Sequence, residues 1–113
     1  MTPRKYGKKI TTYNGHKFHS KMEAGDAMWL DSLVKAEKIA KVEYQHKLSI
    51  DVLNTHICNH FVDFLVTLND GRQKYCETKG VKTATWRIKM KLVKVLYPDT
   101  PYLVNINEEE LLS

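Results

Sequence analysis

The pattern of apolar and polar positions divides the middle of the chain into β-strands. Residues 41–50 alternate between the two classes, and residues 56–68 form a longer run rich in β-branched and aromatic side chains. Both patterns are typical of strands. A shorter run of the same kind at residues 73–79 predicts a further strand, and residues 101–106 predict the last one.

Two other segments have the period of an α-helix. Ser20 and Glu23 have the spacing of a capping box, which predicts a helix from Ser20 to about residue 38. Thr83 suits the N-cap of a second helix, which Pro98 ends. Apolar positions of this second helix fall on two lines, which are Trp86, Met90, Val93 and Tyr97, and Ile88, Leu92 and Leu96.

The order of these elements predicts the fold class. Asn14 and Gly15 lie between short β-prone runs and predict a hairpin ahead of the first helix. Hairpin, helix, three strands, helix and strand together predict an α/β (α+β) fold, with a small mixed sheet flanked by two main helices. The last strand is expected to be parallel to its neighbour across the helix crossover. We expect one domain over residues 10–107, a basic flexible arm over residues 1–9 and an acidic tail without evident chemistry over residues 108–113.

The turn at Asn69-Asp70-Gly71 decides which side chains of its two strands face each other. A two-residue turn at Asp70 and Gly71 would put Asp63 and Glu77 on opposite sides of the sheet. A three-residue loop with Gly71 in the left-handed conformation pairs Asp63 directly with Glu77. We prefer the longer loop, because it leaves no unpaired carboxylate in the sheet.

Two opposed carboxylates are a candidate cation site. Opposed residues of neighbouring strands lie about 5 Å apart at Cβ, and Mg²⁺ takes oxygen ligands at about 2.0–2.1 Å. Lys79 follows Glu77 by two residues and therefore shares its face, whereas Cys76 faces the other way and is expected in the core. The hairpin thus predicts a divalent metal site formed by Asp63 and Glu77, with the amine of Lys79 beside it.

Glu23 has two competing interpretations. In the capping box its carboxylate bonds back to the backbone of Ser20, and local sequence alone favours this role. Alternatively, the carboxylate points from the first helical turn towards Asp63 and Glu77 as a third acid. Gln45 could also reach that site, although no pattern supports it.

A zinc site is an alternative metal centre on the central strand. His56, Cys58 and His60 alternate along one face of it, and all three are zinc-ligand types. Three ligands in line on one strand cannot close a tetrahedron without a partner from elsewhere. The same face continues into Val62 and Phe64, so Cys58 is expected to pack in the core.

Charge adds a candidate partner. Eighteen Lys and Arg against thirteen Asp and Glu give a net charge of +5, which makes a nucleic acid the first candidate. Lys82, Arg87 and Lys91 form either a solvated surface or a set of phosphate contacts, and their position directly after the hairpin favours the contacts. Lys5 and Lys8 in the N-terminal arm have the same two interpretations.

The sequence also indicates a compartment. No apolar run is long enough to span a bilayer, and the first residues lack the apolar core of a signal peptide. Two cysteines without CxxC spacing suggest reduced thiols in a cytoplasmic setting. We therefore expect a cytoplasmic protein with no membrane partner.

These positions together resemble the PD-(D/E)XK nuclease superfamily. Asp63 occupies the place of the first acid of the motif, residues 77–79 stand as its (D/E)-X-K, and Glu23 resembles the helix glutamate of Holliday-junction resolvases. The chain also looks like small phage-borne members over most of its length, in the runs at residues 5–8, 18–24, 62–64 and 77–83. It departs from the motif at Val62, which stands where many members have proline.

The resemblance implies a restriction-endonuclease-like fold and a metal-dependent DNA endonuclease. The activity would be specific for branched DNA and serve phage recombination, repair or packaging in the host cytoplasm. Mg²⁺ or Mn²⁺ would be held by Asp63, Glu77 and the backbone carbonyl of Thr78, with Glu23 holding a second metal directly or through water. Lys79 would orient the attacking water or offset charge on the phosphate. A homodimer is expected because one site cuts one strand, and a non-catalytic DNA-binding module with the same fold is the alternative.

Overall fold

The computed structural model describes residues 10–113, which form an α+β fold. In chain order the elements are β1 (Thr11–Tyr13), β2 (His16–Phe18), α1 (Lys21–Lys35), β3 (Lys41–Val52), β4 (Thr55–Thr67), β5 (Gln73–Glu77), α2 (Ala84–Leu96), β6 (Tyr102–Val104) and α3 (Glu108–Leu112). The first two strands form a small hairpin, and the other four form a sheet in the order β3-β4-β5-β6. Neighbours in this sheet are antiparallel except β5 and β6, which are parallel. The predicted mixed sheet with a parallel last strand is confirmed.

Local sequence signals set the ends of the elements. The hydroxyl of Ser20 accepts a backbone hydrogen bond at the start of α1, and the hydroxyl of Thr83 does the same for α2, both at 3.1 Å. Asn14 and Gly15 have φ angles of 53° and 77°, as a tight two-residue hairpin turn requires. Both predicted helix starts and the predicted first hairpin are therefore confirmed.

Each face of the four-stranded sheet has its own core. The α1 cluster consists of Phe18, Ala24, Ala27, Leu30, Leu33, Ile39, Phe64, Val66, Leu68, Cys76 and Leu111. The α2 cluster consists of Leu48, Ile50, Val62, Leu65, Tyr75, Trp86, Val93 and Tyr102. Burial of Cys76 in the α1 cluster confirms its predicted core role and raises the pKa of its thiol to about 12. Ile88, predicted on an apolar line of the second helix, is instead exposed.

The middle strands exchange faces at Gln45 and Asp63. Tyr44 and Phe64 pack with the α1 cluster, yet Val62, which has the same parity along β4 as Phe64, packs in the α2 cluster. Gln45 has a φ of 51° inside β3, and the ladder between β3 and β4 skips the pair that Gln45 would form with Asp63. A left-handed residue interrupts the regular alternation of side chains along a strand. The acid of β4 therefore lies where the two cores meet.

This exchange of faces corrects one prediction. His60 and Cys58 were expected to share a face of the central strand with Phe64. Cys58 packs against the α2 cluster and the ring of His60 contacts the hydroxyl of Tyr102, whereas Phe64 belongs to the α1 cluster. A period of two residues cannot reveal this, because the alternation along β4 is interrupted at Asp63, where the ladder skips its pair with the left-handed Gln45.

Residues 108–113, predicted as an acidic tail outside the domain, belong to the fold. They form the short helix α3, and its Leu111 is 0% exposed in the α1 cluster. The buried amine of Lys74 donates to the carbonyls of Glu110 and Ser113, at 3.1 and 2.8 Å. These contacts satisfy the ammonium group and the C-terminal carbonyls together.

Replacing Leu111 by alanine should lower the free energy of unfolding by about 2–4 kcal/mol, because it leaves a cavity in a closed core. Urea denaturation of the variant and the parent measures the difference. Glu109→Ala is the matched control, since Glu109 is exposed on the same helix and such substitutions stay within about 0.5 kcal/mol. An effect of Leu111→Ala no larger than that of the control would contradict the core assignment.

Candidate active site

The hairpin between β4 and β5 has the predicted register. Its ladder pairs Phe64 with Cys76, Leu65 with Tyr75, Val66 with Lys74 and Thr67 with Gln73. The backbone of Leu68 donates to the carbonyl of Arg72 at 2.7 Å, which leaves a three-residue loop, and Gly71 in that loop has a φ of 93°. Continuing the ladder one step beyond the first pair brings Asp63 opposite Glu77. The three-residue loop is confirmed, and the two-residue turn is excluded.

Asp63 is half-buried and belongs to a crowded group of acids. Its carboxylate accepts a hydrogen bond from the backbone of Thr78 at 2.7 Å. Burial, then the negative charges of Glu77 and Glu23, raise the pKa of Asp63 to about 9. Crowded carboxylates of this kind bind a proton or a cation in preference to staying charged and unpaired.

Glu77 is 3% exposed, and one of its oxygens is fully occupied. Oε1 accepts hydrogen bonds from the indole Nε1 of Trp86 at 3.2 Å and from the hydroxyl of Tyr102 at 2.6 Å. Nε2 of His60 lies 3.3 Å from the same oxygen and 2.8 Å from the Tyr102 hydroxyl. The hydroxyl of Tyr102 has a single hydrogen, which it donates to Glu77. Nε2 of His60 can therefore bond to the Tyr102 hydroxyl or to Glu77 only as a donor, so it must carry a hydrogen.

These contacts also set the charge of Glu77. Burial by itself would raise its pKa, but hydrogen bonds from His60, Tyr102, Asp63 and Trp86 outweigh burial and lower the pKa. The two opposed acids therefore differ: Glu77 is the charged member at neutral pH, and Asp63 is the member that holds a proton. All donors to Oε1 come from elements other than β5, so they fix the direction in which the rest of the carboxylate points.

Lys79 lies just beyond β5, on the same pocket as the two acids. Its amine is 5.6 Å from the centre of the Trp86 ring, a cation–π distance. Asn105 holds its backbone on both sides, accepting from Lys79 N and donating to Lys79 O at 2.8 Å each. Among the ion pairs of residues 10–113, none involves Lys79.

The pocket has a volume of about 260 Å³. It is lined by His60, Phe61, Asp63, Glu77, Lys79, Thr83, Thr85, Trp86 and Lys89. Acids, amines and aromatic rings therefore meet in one open depression between β4, β5 and the start of α2. This combination can bind a cation and an anionic substrate side by side.

The reciprocal capping bond predicted for the carboxylate of Glu23 is not formed, and its side chain takes the alternative position near the acids. Its backbone completes the cap at Ser20, at 3.1 Å. Its carboxylate, however, accepts from the amide of Gln45 at 3.5 Å, and its charge contributes to the raised pKa of Asp63. The hydrogen bonds within residues 10–113 include none from Ser20 N back to this carboxylate. The structure therefore places the side chain on the acid side, where it is 6% exposed.

The structure also contains a contact that no pattern in the sequence indicates. The hydroxyl of Thr78 donates to Asp26 of α1 at 2.5 Å. Asp26 lies one turn after Glu23 on the same helix. Helix α1 therefore positions Glu23 and, through Asp26, also Thr78, whose backbone bonds to Asp63. Gln45 and Asp26 lie far from the hairpin in sequence and carry no motif, and only the folded chain brings them to it.

A zinc site on β4 is not formed. His56 points to Asp51 and Ser49, at 2.7 and 3.0 Å from its Nδ1, while Cys58 packs against the α2 cluster and His60 serves Glu77. More generally, no three His, Cys, Asp or Glu side chains within residues 10–113 converge closely enough to hold a metal by themselves. A metal at the hairpin would therefore need backbone or water oxygens besides Asp63 and Glu77.

The predicted DNA contacts on α2 and just before it do not line the pocket of the acids. Lys82, Arg87 and Lys91 are exposed at the start and along the outer side of α2, and the guanidinium of Arg87 donates to the Lys82 carbonyl at 3.3 Å. Lys5 and Lys8 lie outside the described residues. No helix in the described part of the chain has the length and apolar character to cross a membrane.

Comparisons with known proteins identify a family and no function. No curated protein matches the chain, and no solved structure does either. One family, described as "Protein of unknown function (DUF1064)", matches residues 3–107 of the 113 in the chain. Because the match covers nearly the whole chain, this protein belongs to the DUF1064 family.

Proposed function

We propose that this protein is a metal-dependent DNA endonuclease that hydrolyses phosphodiester bonds with Mg²⁺ or Mn²⁺. The observation that carries the proposal is the opposed pair Asp63 and Glu77, with Lys79 on the same pocket. Paired carboxylates beside an amine are suited to binding a hard cation next to a phosphate. If these acids had only a structural role, three carboxylates would lie close together, two of them buried, without an arginine or lysine paired to any of them in the described residues.

The residues present fit a hard divalent cation. Oε1 of Glu77 accepts from Trp86 and Tyr102 and has the ring of His60 close by, so a cation would bind the other oxygen, Oε2. The carbonyl of Thr78, the residue after Glu77, accepts no hydrogen bond within residues 10–113 and is therefore free to bind the cation. These oxygens, completed by water, give the donor set that Mg²⁺ prefers. Glu23 would hold the same cation, or a second one, through a water molecule.

The protein's own groups divide the remaining work. When bound, the cation would polarise the scissile phosphate and lower the pKa of an attacking water. Lys79 would orient that water or offset the charge that grows on the phosphate oxygens. Lys82, Arg87 and Lys91 would grip the DNA backbone, an interaction that is independent of sequence and weakens steeply with salt.

Two further features belong to the proposal. One site cuts one strand, so a homodimer would be needed for paired cuts in a branched substrate such as a Holliday junction, and phage recombination, repair or packaging would use such cuts. The second candidate is a DNA-binding module without catalysis. It is favoured by the exposed basic side chains of α2, which do not depend on the acids.

A cleavage assay separates the two candidates. The full-length protein is incubated with Mg²⁺ and a panel of junction, flap, nicked, single-stranded and linear duplex DNA. Hydrolysis of any of these that is abolished by EDTA supports the nuclease. Salt-sensitive DNA binding without cleavage of any substrate, in Mg²⁺ or Mn²⁺, would reject the nuclease and support the binding module.

Replacing Tyr102 by phenylalanine should weaken binding of Mn²⁺ by about 10–100-fold, because groups that orient a metal ligand have effects of this size. The substitution removes only the hydroxyl that donates to Glu77 at 2.6 Å. Isothermal titration with Mn²⁺ measures the change. Tyr97→Phe is the matched control, since its hydroxyl donates to the Ser49 carbonyl at 2.7 Å, away from the acids. Equal effects of the two substitutions would contradict the orienting role of Tyr102.

A further inference from the structure

We infer that Phe61, together with Lys89 and Lys47, forms a subsite for an unpaired nucleotide beside the acids. This inference rests on the proposed function and narrows its substrate to DNA in which a base next to the cut is splayed out or single-stranded. The main observation for the subsite is that Phe61 and Lys89 line the same pocket as Asp63 and Glu77.

Phe61 is an exposed ring at the mouth of a charged pocket. It is 56% exposed, whereas its neighbours His60 and Val62 are 6% and 0% exposed. A single exposed apolar residue is ordinary on a protein surface. Phe61 differs because it lies two residues before Asp63 and lines the pocket with it. A nucleotide whose phosphate approached the acids would have its base within reach of this ring.

Two lysines lie near the backbone of Phe61. Lys47 is directly opposite Phe61 in the ladder between β3 and β4, and opposed residues share a face. The amine of Lys89 on α2 donates to the carbonyl of Asn59, two residues before Phe61 on β4, at 3.3 Å. An exposed aromatic ring with lysines nearby is the combination that binds single-stranded nucleic acid, since the base stacks on the ring and the phosphates contact positive charge.

The energetics favour an unpaired base over a paired one. Stacking on an aromatic side chain contributes about 1–3 kcal/mol per base. A base in a duplex already stacks on its neighbours, and extruding it costs a few kcal/mol. A duplex therefore gains little from Phe61, whereas a forked or gapped DNA gains the full stacking interaction.

Binding of two labelled DNAs to the full-length protein tests the subsite. Fluorescence anisotropy in Ca²⁺ compares a linear duplex with a fork of the same length that has unpaired arms. We expect the parent to bind the fork about tenfold more tightly, Phe61→Ala to lose that preference, and Phe61→Trp to keep it. Ile57→Ala is the control, because Ile57 lies on the same strand and is also 56% exposed.

Two results of the binding assay would overturn the subsite. One is a Phe61→Ala protein that binds the fork as tightly as the parent, and the other is an Ile57→Ala protein that loses the preference to the same extent. The assay needs no hydrolysis, so its outcome is separate from that of the proposed activity. If the protein prefers the fork through Phe61 but cleaves none of the DNAs, the subsite is supported and the proposed nuclease activity is rejected. Cleavage that is indifferent to Phe61→Ala would remove only the subsite.

Discussion

Replacing Asp63 by asparagine should lower the rate of Mg²⁺-dependent DNA cleavage by about 10³-fold or more. The substitution keeps the size of the side chain and an oxygen to accept from Thr78, but removes one of the two carboxyl groups that would hold the cation. A metal ion stabilises the transition state by several kcal/mol, and each 1.36 kcal/mol is tenfold in rate. Single-turnover cleavage of the best substrate in the panel measures the loss.

Two comparisons show that such a loss comes from the site. Lys79→Ala should reduce the rate by about 10²–10³-fold, as expected for removing one group that stabilises transition-state charge. Asp70→Asn, in the exposed loop of the same hairpin, should change it less than twofold, because Asp70 pairs with Arg72 away from the pocket. Parent-like cleavage by both the Asp63 and Lys79 variants would end the nuclease proposal.

The second large effect is a dependence of stability on pH in the presence of EDTA. The pKa of Asp63 is raised to about 9 in the folded protein, whereas an unfolded aspartate titrates near 3.9. Between these two pKa values only the folded state holds the proton, so the free energy of unfolding falls as the pH rises. The stabilising contribution of Asp63 is therefore fully present below pH ~4 and is lost as the pH approaches about 9. Relative to the parent, Asp63→Asn should therefore gain stability with rising pH, by at most about 1.4 kcal/mol per unit.

Urea denaturation of both proteins at several pH values between 5 and 9 measures this gain, and the difference between them isolates Asp63. Asp70→Asn is again the control. Hydrogen bonds from the backbone and side chain of Arg72 lower the pKa of Asp70, so its removal should bring no gain as the pH rises. A constant difference between Asp63→Asn and the parent over this range would show that Asp63 is charged at neutral pH.

The hairpin that carries the acids could be predicted because its determinants are local. Gly71 and the two residues before it fix the loop length, and loop length fixes which residues face each other. The opposition of Asp63 and Glu77 therefore follows from a short stretch of sequence. The capped starts of α1 and α2 were predictable for the same reason, since each cap depends on residues within one turn.

The surroundings of the acids were not predictable, because they depend on distant parts of the chain. Tyr102 reaches Glu77 from β6, and Asp26 reaches Thr78 from α1. The exchange of faces at Gln45 depends on one backbone angle that no residue pattern marks. Helix α3 was missed because its acidic residues suggested a solvated tail, whereas Leu111 is buried in the α1 cluster and Lys74 holds the helix end.

Crystals grown with Mn²⁺ would test the central claim most directly, because anomalous scattering locates the ion without reference to activity. We predict a peak between the carboxylates of Asp63 and Glu77, within about 2.0–2.3 Å of an oxygen from each, and its absence from crystals of Asp63→Asn. A map of the parent protein in saturating Mn²⁺ with no peak between these two side chains would contradict the account.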